Sequence, residues 1–572
     1  MSDSTCSSHR AWIWLPLIVA AFLAAVAPTL SWMEFSNGME NLNVATVLEM
    51  RRGGPWMVPT LEGEPRVAKP PLTAWVTAAN VPAELIDRLN DRDAEARDGA
   101  YRSLAFRVRI TALVACALTL LATFDLGRTI GGTSRAGVVG AAICASNYFF
   151  LRFCRNATTD VQLTLWVTIA NAFLARAILI RATWLNTLGA GLALGLAMMS
   201  KGPVALVQSV LPAVAFVGWH AWARRGSNEV EPIRWRGARI APAALVGVLI
   251  SSWFIYAAAH NPAILRRWLS ETNPGGGDRM TSNNYGLYFV ILPFMLPWTA
   301  FLIDGLVRVP LAAWRERRNR SLSSATVRAM YPIITLVVTF VVMSCFKDRK
   351  ERYLLPIVPV AAVIAARGFI AMRDREPHAL PVPAHWITLA IMACIPLVGI
   401  GTFAVKTWDG RPWFEPRFAL IATGSALAIV SLGALLFHRA HWNGAAVGAA
   451  VALMLLLQAV GIRGYRLSRE GRSDMRPLAE SIRRSFPDAE MNNWRADGQR
   501  KRAPVDLSIY LNRVTRWIAD PATLPPSDRP QIYLTLQEKD EPDPQPAPGG
   551  WRFFDKVKRD KDWYVAFVRA AR

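Results

Sequence analysis

Apolar runs recur along the chain from Ala11 to about Ile462, many close to the length that crosses a bilayer. A hydrocarbon core about 30 Å thick is spanned by roughly 20 helical residues. In that solvent every backbone N–H and C=O must be bonded within its own segment, which leaves helices as the economical solution. The runs predict thirteen membrane helices, near residues 11–32, 105–126, 136–152, 160–180, 185–200, 203–222, 240–260, 287–309, 329–346, 353–372, 384–405, 417–437 and 444–462. Only Lys201-Gly202-Pro203 divides the fifth from the sixth. Pro after Gly breaks a helix, and a Lys at the centre of one long span would be expensive, so the run is split there.

Charge supports a membrane protein and orients it. The 572 residues are 52% hydrophobic, yet 65 Lys+Arg face 42 Asp+Glu for a net charge of +23, and only ten of the basic residues are Lys. A nucleic-acid binder would gather such charge on a groove or tail. Here it punctuates the apolar runs, which excludes a soluble enzyme, a nucleic-acid partner and a disordered basic protein. With the N-terminus in the cytoplasm, the inner loops carry Arg128 and Arg135, the 224–239 group, the 308–328 group, Arg373 and Arg375, and Arg439. That is the positive-inside pattern. Residues 33–104 then lie outside, and an odd helix count places 463–572 outside as well. The first run contains Trp12, Trp14 and Pro16 and no small-residue cleavage site, so it is expected to stay as an uncleaved helix.

The outer segment 33–104 contains a helical stretch (Leu42, Val44, Val47, Leu48), a Gly/Pro-rich region at 53–71 and an apolar stretch at 72–86. Such a segment is expected to lie along the membrane surface over the bundle. After residue 463 the chain turns polar and Pro-rich, with β-like runs at Gln531–Leu536 and Trp563–Val568 beside a helical one at Leu478–Phe486. The expected organisation is a membrane region, 1–462, and a small extracytoplasmic α/β domain, 463–572. No internal repeat is evident. The six Cys are scattered without metal-ligand spacing, which points to small buried side chains.

Cations on the outer side oppose the topology bias and need a reason. The turn between the ninth and tenth helices reads Lys347-Asp348-Arg349-Lys350-Glu351-Arg352-Tyr353, Arg266, Arg267 and Arg279 lie in another outer loop, and Lys201 sits in a third. Arg and Lys at headgroup depth grip a phosphate through charge-assisted, partly bidentate hydrogen bonds. The alternative is a cluster paired with Asp348 and Glu351 that anchors the interface. Glu40 opens the surface helix, and Asp160 opens the fourth membrane helix after Arg155-Asn156-Ala157-Thr158-Thr159. An acid at a helix N-terminus also serves simply as a dipole partner. Lys69 precedes Pro70-Pro71, whose restricted backbone holds it as a binding or catalytic group must be held. With seven scattered His, no His-based triad or metal cluster is supported.

These residues fall into a known pattern. The stretch Glu49-Met50, Gly54 to Glu64, then Lys69-Pro70-Pro71-Leu72-Thr73-Ala74-Trp75 resembles the first outer loop of the bacterial aminoarabinose transferase and protein O-mannosyltransferase group. Gly195 to Pro203 resembles that group's turn ending in Ser/Thr-Lys-Gly-Pro, Leu296-Pro297-Trp298 its Leu-Pro-Trp, and Arg352-Tyr353-Leu354-Leu355-Pro356 with Pro359 its Arg-Tyr block. The resemblance implies a GT-C type polytopic helical membrane protein with a small C-terminal extracytoplasmic α/β domain, sited in a bacterial inner membrane. It implies transfer of a sugar from a polyprenyl-phosphate donor to a lipid, glycan or protein acceptor, with membrane lipids as surroundings and no nucleotide. Glu40, Asp160 and Lys69 would be catalytic. Lys201, Arg266, Arg267, Lys347, Arg349, Lys350, Arg352 and Tyr353 would bind substrate. Metal dependence stays open.

Two departures bear on activity. The group has Asp-Glu ten and nine residues before its Glu-Met, and here those positions are Met39 and Glu40. Met cannot accept a proton, so either Glu40 or Glu34 substitutes, or the acceptor chemistry differs, or the chain is an inactive lipid-sugar binding or transport protein. The group's His and Pro before its Pro-Trp are also missing from Asn283 to Phe289, which keeps the aromatics.

Overall fold

The computed structural model describes residues 3–571 except 33–34, 36–37, 226–229, 231–232, 234–236, 262–263, 266–267, 269–286, 347–348, 375, 377–380, 395–415, 440–443, 470–473, 496–503, 539–542 and 560–561. Helices follow the apolar runs. In chain order they begin with α1 (Asp3–Val26), α2 (Gly38–Arg51), α3 (Leu72–Ala79), α4 (Ala83–Arg88), α5 (Ala94–Gly131), α6 (Ser134–Ala145), α7 (Tyr148–Phe153), α8 (Thr159–Leu179) and α9 (Trp184–Lys201).

Among the described residues, six helices are long and apolar enough to cross a membrane: Ala94–Gly131, Thr159–Leu179, Val204–Arg224, Ser324–Ser344, Glu351–Arg373 and Leu420–Arg439. Two further pairs reach that length only as bent spans. Arg239–Ile250 and Trp253–His260 meet at 43°, and Tyr288–Phe294 and Thr299–Arg318 at 118°. Ile13–Thr29, Ser134–Ala145 and Ala445–Val460 are apolar but shorter. The expected run 136–152 is two helices, because Ser146 ends α6 and the Asn147 side chain caps α7 by accepting the Phe150 N–H. The expected helix at 384–405 lies partly outside the described residues, which cover Val382–Ala393. Large apolar side chains such as Leu118, Leu121, Val214, Leu245, Val248 and Leu432 point outward from these helices. An exposed apolar girdle of this extent belongs in lipid.

The break at Gly202 is as the sequence implies. Gly202 has φ +83 and ψ −155, a backbone open essentially to glycine, so α9 stops at Lys201 and the next helix starts after Pro203. Deep in the bundle, α8 packs between α5 and α9. Helix α9 also lies against the Gly237–Ile250 helix so closely that a Cβ on Gly191 would sit 2.1 Å from the Ala243 carbonyl oxygen.

One face of the bundle carries a cap. Helix α5 runs 38 residues, about 57 Å at 1.5 Å per residue, far past the predicted 105–126. Its first turns stand above the bundle beside α2, α3, α4 and a small antiparallel hairpin, β1 (Thr60–Leu61) and β2 (Glu64–Pro65). The C-terminal residues form a five-stranded sheet from β3 (Glu490–Asn493), β4 (Thr515–Trp517), β5 (Gln531–Gln537), β6 (Arg552–Arg559) and β7 (Asp562–Arg569), in the order β4-β3-β5-β7-β6. The β3 strand pairs parallel to β4 and β5, and β7 runs antiparallel to β5 and β6. Strands β5 and β7 and the helix Arg476–Ser485 coincide with the β-like runs at Gln531–Leu536 and Trp563–Val568 and the helical run at Leu478–Phe486.

The sheet shares a core with the segment before α5. Phe35, Val44, Val47, Leu48, Leu85 and Leu104 pack in one apolar cluster with Leu478, Ile482, Leu507, Ile509, Ile532 and Leu534. Polar links reinforce it. The Tyr101 hydroxyl donates to the Tyr510 carbonyl at 2.6 Å, the Tyr510 hydroxyl accepts the Phe35 N–H at 3.1 Å, and Arg97 pairs with Glu480 at 2.8 Å.

Candidate functional site

Where α8 and α9 meet the cap, the predicted Asp160 and Lys201 come together. Asp160 lies in the first turn of α8 with no exposed surface, and Lys201 ends α9. The Lys201 ammonium donates to Asp160 Oδ1 and lies 3.8 Å above the Tyr353 ring. Arg352 brings its Nε to 3.4 Å from Asp160 Oδ2, an oxygen with no hydrogen bond among the described residues. Lys69 and Arg352 are both electrostatic neighbours of Lys201. One buried carboxylate thus sits among three cations drawn from three parts of the chain. Burying charge is tolerated only when it is paired, and Asp160 pairs with both Lys201 and Arg352.

Supports hold this group. The Gln208 amide donates to the Tyr353 carbonyl at 3.1 Å, fixing the Arg352–Tyr353 segment to the helix that follows α9. Arg152 on α7 pairs with Glu351 at 2.7 Å. Arg349 is 5% exposed and its Nε donates to the Ser344 carbonyl, so it closes the end of its own membrane helix. Lys350 lies partly buried beside it. Lys347, Arg266, Arg267 and Glu34 are outside the described residues.

Glu40 is placed differently. It is 1% exposed and engages Arg109 of α5 through two prongs, Nε to Oε1 and Nη2 to Oε2, each 3.0 Å. Its Oε1 also accepts the Ala157 N–H at 3.2 Å, three residues before Asp160. Arg109 turns its remaining donors to the Leu30 and Trp32 carbonyls. The carboxylate is therefore a junction between α2, α5 and the approach to α8. Arg109 escaped the sequence reading, although an Arg inside the 105–126 run is costly unless partnered and that cost was a usable signal.

The segment that carries Lys69 is fastened from several sides. Glu49 accepts from the Thr60 hydroxyl at 2.6 Å and from the Glu62 N–H at 2.6 Å, folding the β1–β2 hairpin. Three indoles then clip the chain: Trp75 donates to the Trp56 carbonyl, Trp253 to Met57 and Trp268 to Val67. Lys69, Pro70, Pro71 and Thr73 line a small pocket with Asn43, Thr46, Arg66 and Thr159. Arg66 donates through Nη1 to the Leu42 carbonyl and the Thr46 hydroxyl, both at 2.9 Å. Burial pulls its guanidinium down to about 10 from 12.5. Among the described residues no group of three or more His, Cys, Asp or Glu is placed to hold a metal ion.

Comparison with known proteins follows the same lines. Residues 102–253 match the family described as dolichyl-phosphate-mannose-protein mannosyltransferase. The undecaprenyl phosphate-alpha-4-amino-4-deoxy-L-arabinose arabinosyl transferase of Edwardsiella ictaluri (strain 93-146) is 25% identical over 375 residues, covering 64% of this chain and 59% of that relative. The chain therefore aligns with less than two thirds of that relative's length. The crystal structure of apo ArnT from Cupriavidus metallidurans superposes with a TM-score of 0.72 at 17% identity, covering 98% of this chain and 99% of that one. The same protein bound to undecaprenyl phosphate gives 0.70 at 16% identity, covering 97% and 98%.

The fold is that of the Cupriavidus metallidurans ArnT structures. Over residues 102–253 the chain is similar to the dolichyl-phosphate-mannose-protein mannosyltransferase family, and over a longer stretch to aminoarabinose transferases.

Proposed function

We propose that the chain is an integral-membrane glycosyltransferase moving a sugar from a polyprenyl-phosphate donor to a lipid, glycan or protein acceptor. The observation that carries this reading is the pairing of Lys201 and Arg352 with the buried carboxylate of Asp160, with Lys69 an electrostatic neighbour of Lys201. A leaving polyprenyl phosphate gains negative charge as it departs, and preorganised cations in a water-poor site stabilise that charge most. A structural neighbour that holds undecaprenyl phosphate has the same fold, which supports this donor class.

The step balances simply. The acceptor hydroxyl oxygen attacks the anomeric carbon from the face opposite the phosphate. The carbon–oxygen bond to phosphate breaks, its electron pair stays on the phosphate, and the acceptor proton passes to a base, giving inversion. Of the two acids, Asp160 has the oxygen without a hydrogen bond, Oδ2, and it is assigned the proton. Glu40 acts as a positioning residue through the Ala157 amide. The capped face is then extracytoplasmic, the N-terminus cytoplasmic and the membrane the bacterial inner one. Residues 1–462 form the catalytic membrane region and 463–572 the accessory α/β domain.

The test is transfer of radiolabelled sugar from polyprenyl phosphate in proteoliposomes. Asp160→Asn is expected to lower turnover by roughly 10²–10⁴-fold while donor binding persists; turnover at the wild-type rate would remove Asp160 from the mechanism. A second reading, a non-catalytic lipid-sugar binding protein, is favoured by Met39 and by the engagement of Glu40 with Arg109. Donor binding without turnover from any sugar would establish it instead.

A further inference from the structure

The β1–β2 hairpin turns on Glu62 and Gly63, and both hold a positive φ, 58° and 76°. A two-residue turn of that hand is built most cheaply from Asn-Gly, Asp-Gly or Gly-Gly, which enter the left-handed region with little clash. Glu lacks that tolerance, and its side chain is too long for the local backbone bonds by which Asn and Asp support a turn. A strained residue of this kind persists where its surroundings hold it, and it marks a position under another demand.

The Glu62 side chain shows the demand. Its Oε2 accepts the Trp517 indole N–H at 2.8 Å and its Oε1 accepts the Asn493 amide N–H at 3.2 Å. Both donors belong to the C-terminal sheet, on β4 and β3. The same Asn493 amide donates to the Thr515 hydroxyl at 3.2 Å, and that hydroxyl meets Ser508 at 2.7 Å. The carboxylate therefore lands on a polar network already set inside the domain. Asn at this position would fall short by one methylene.

Other contacts attach the domain: the apolar core shared with residues 35–108, the Tyr101 and Tyr510 bonds, and the Arg97–Glu480 pair. Glu49 closes the hairpin itself, through the Thr60 hydroxyl and the Glu62 N–H. What remains for the Glu62 carboxylate is to fix where the folded hairpin stands. Downstream the chain has little slack. The Arg66 N–H donates to the Pro59 carbonyl at 2.8 Å, and Trp268 donates to the Val67 carbonyl at 2.9 Å. Pro65, Pro70 and Pro71 restrict the backbone on either side of Lys69, so a shift at the tip is carried to Lys69 rather than absorbed.

We propose that Glu62 is a positioning residue: through Asn493 and Trp517 it makes the C-terminal sheet part of the scaffold that sets Lys69. This rests on the transferase reading for one point only, the role of Lys69 at a lipid phosphate. Full-length protein in nanodiscs is measured for melting temperature, for amide hydrogen exchange over 66–69 and for equilibrium binding of undecaprenyl phosphate.

Glu62→Asn suits the turn and lacks the reach. It is expected to melt no lower than wild type, to exchange about fivefold faster over 66–69 and to bind the lipid roughly 5- to 10-fold more weakly. Glu62→Gln keeps the reach and one acceptor oxygen, and should restore part of both. Trp517→Phe keeps a ring and drops the N–H. It should move both readouts the same way by less, add nothing to Glu62→Asn, and serve if Glu62→Asn fails to fold. Wild-type exchange and lipid affinity in both Glu62→Asn and Trp517→Phe would overturn the assignment, as would faster exchange with unchanged affinity. So would a melting temperature that falls in step with affinity, the mark of a merely structural contact. A wild type that binds no undecaprenyl phosphate would sink the transferase reading instead, and exchange over 66–69 would still decide whether Glu62 holds this segment.

Discussion

Arg109 grips Glu40 on two prongs of 3.0 Å, and neither side chain reaches solvent. The pair joins a membrane helix to a surface helix and, through Ala157, to the strand of chain that delivers Asp160. Removing one partner of a buried pair strands a charge, which costs about 3–5 kcal/mol. Glu40→Ala and Arg109→Ala are each expected to lower thermal stability in detergent by that order, and Glu40→Gln by less. The double change Glu40→Leu with Arg109→Leu should recover most of the loss, since paired apolar replacements are often neutral. A double variant as unstable as the sum of the singles would contradict a closed pair.

Lys201 and Arg352 approach Asp160 from different helices, yet their proposed work is on the donor phosphate. Hydrogen bonds to charged groups contribute about 1.5–3 kcal/mol each. Lys201→Met and Arg352→Gln should each weaken donor binding by roughly 10- to 100-fold by equilibrium titration. Donor affinity untouched by both changes would make the cluster an interface anchor.

Gly202 holds a backbone that L-residues avoid, directly beside Lys201. Gly202→Ala is expected to cost about 1–3 kcal/mol and to displace the ammonium from Asp160. The readout is a lower melting temperature together with weaker donor binding. Wild-type values in both would mean that the turn tolerates a side chain.

The junction of Arg97 with Glu480 gives the cap a pH dependence. Partial burial favours the neutral acid, but the charges of Arg97, Arg484 and Arg483 outweigh it and hold Glu480 below its usual 4.5. A carboxylate depressed on folding contributes stability that is fully present above about 4.5 and fades as pH falls through its lower folded value. Limited proteolysis should therefore release C-terminal fragments faster near pH 3.5 than at pH 6. Glu480→Gln should flatten that difference, and a profile identical to wild type would exclude this contact.

The membrane bundle was legible because lipid enforces length and apolarity on each span. The stop at Gly202 was legible because Gly-Pro is local chemistry, and β5 and β7 showed as short runs of β-favouring residues. The bends were not, since the 118° turn between Tyr288–Phe294 and Thr299–Arg318 lies within one continuous apolar run. At the site, Asp160, Lys201 and Arg352 were named from residue type and motif, and the structure brings them together. Glu40 drew attention as an acid, while its engagement depends on Arg109, 69 residues away.

The apolar core shared between residues 35–108 and 475–566 has a consequence for synthesis. Residues that line half of that core leave the ribosome early, and their complement follows only after the whole bundle. Val44, Val47, Leu48 and Leu85 must therefore wait, greasy and uncovered, for roughly 400 residues of translation. Biogenesis of this protein needs either shelter at the membrane surface during that interval or a provisional packing that the late strands displace.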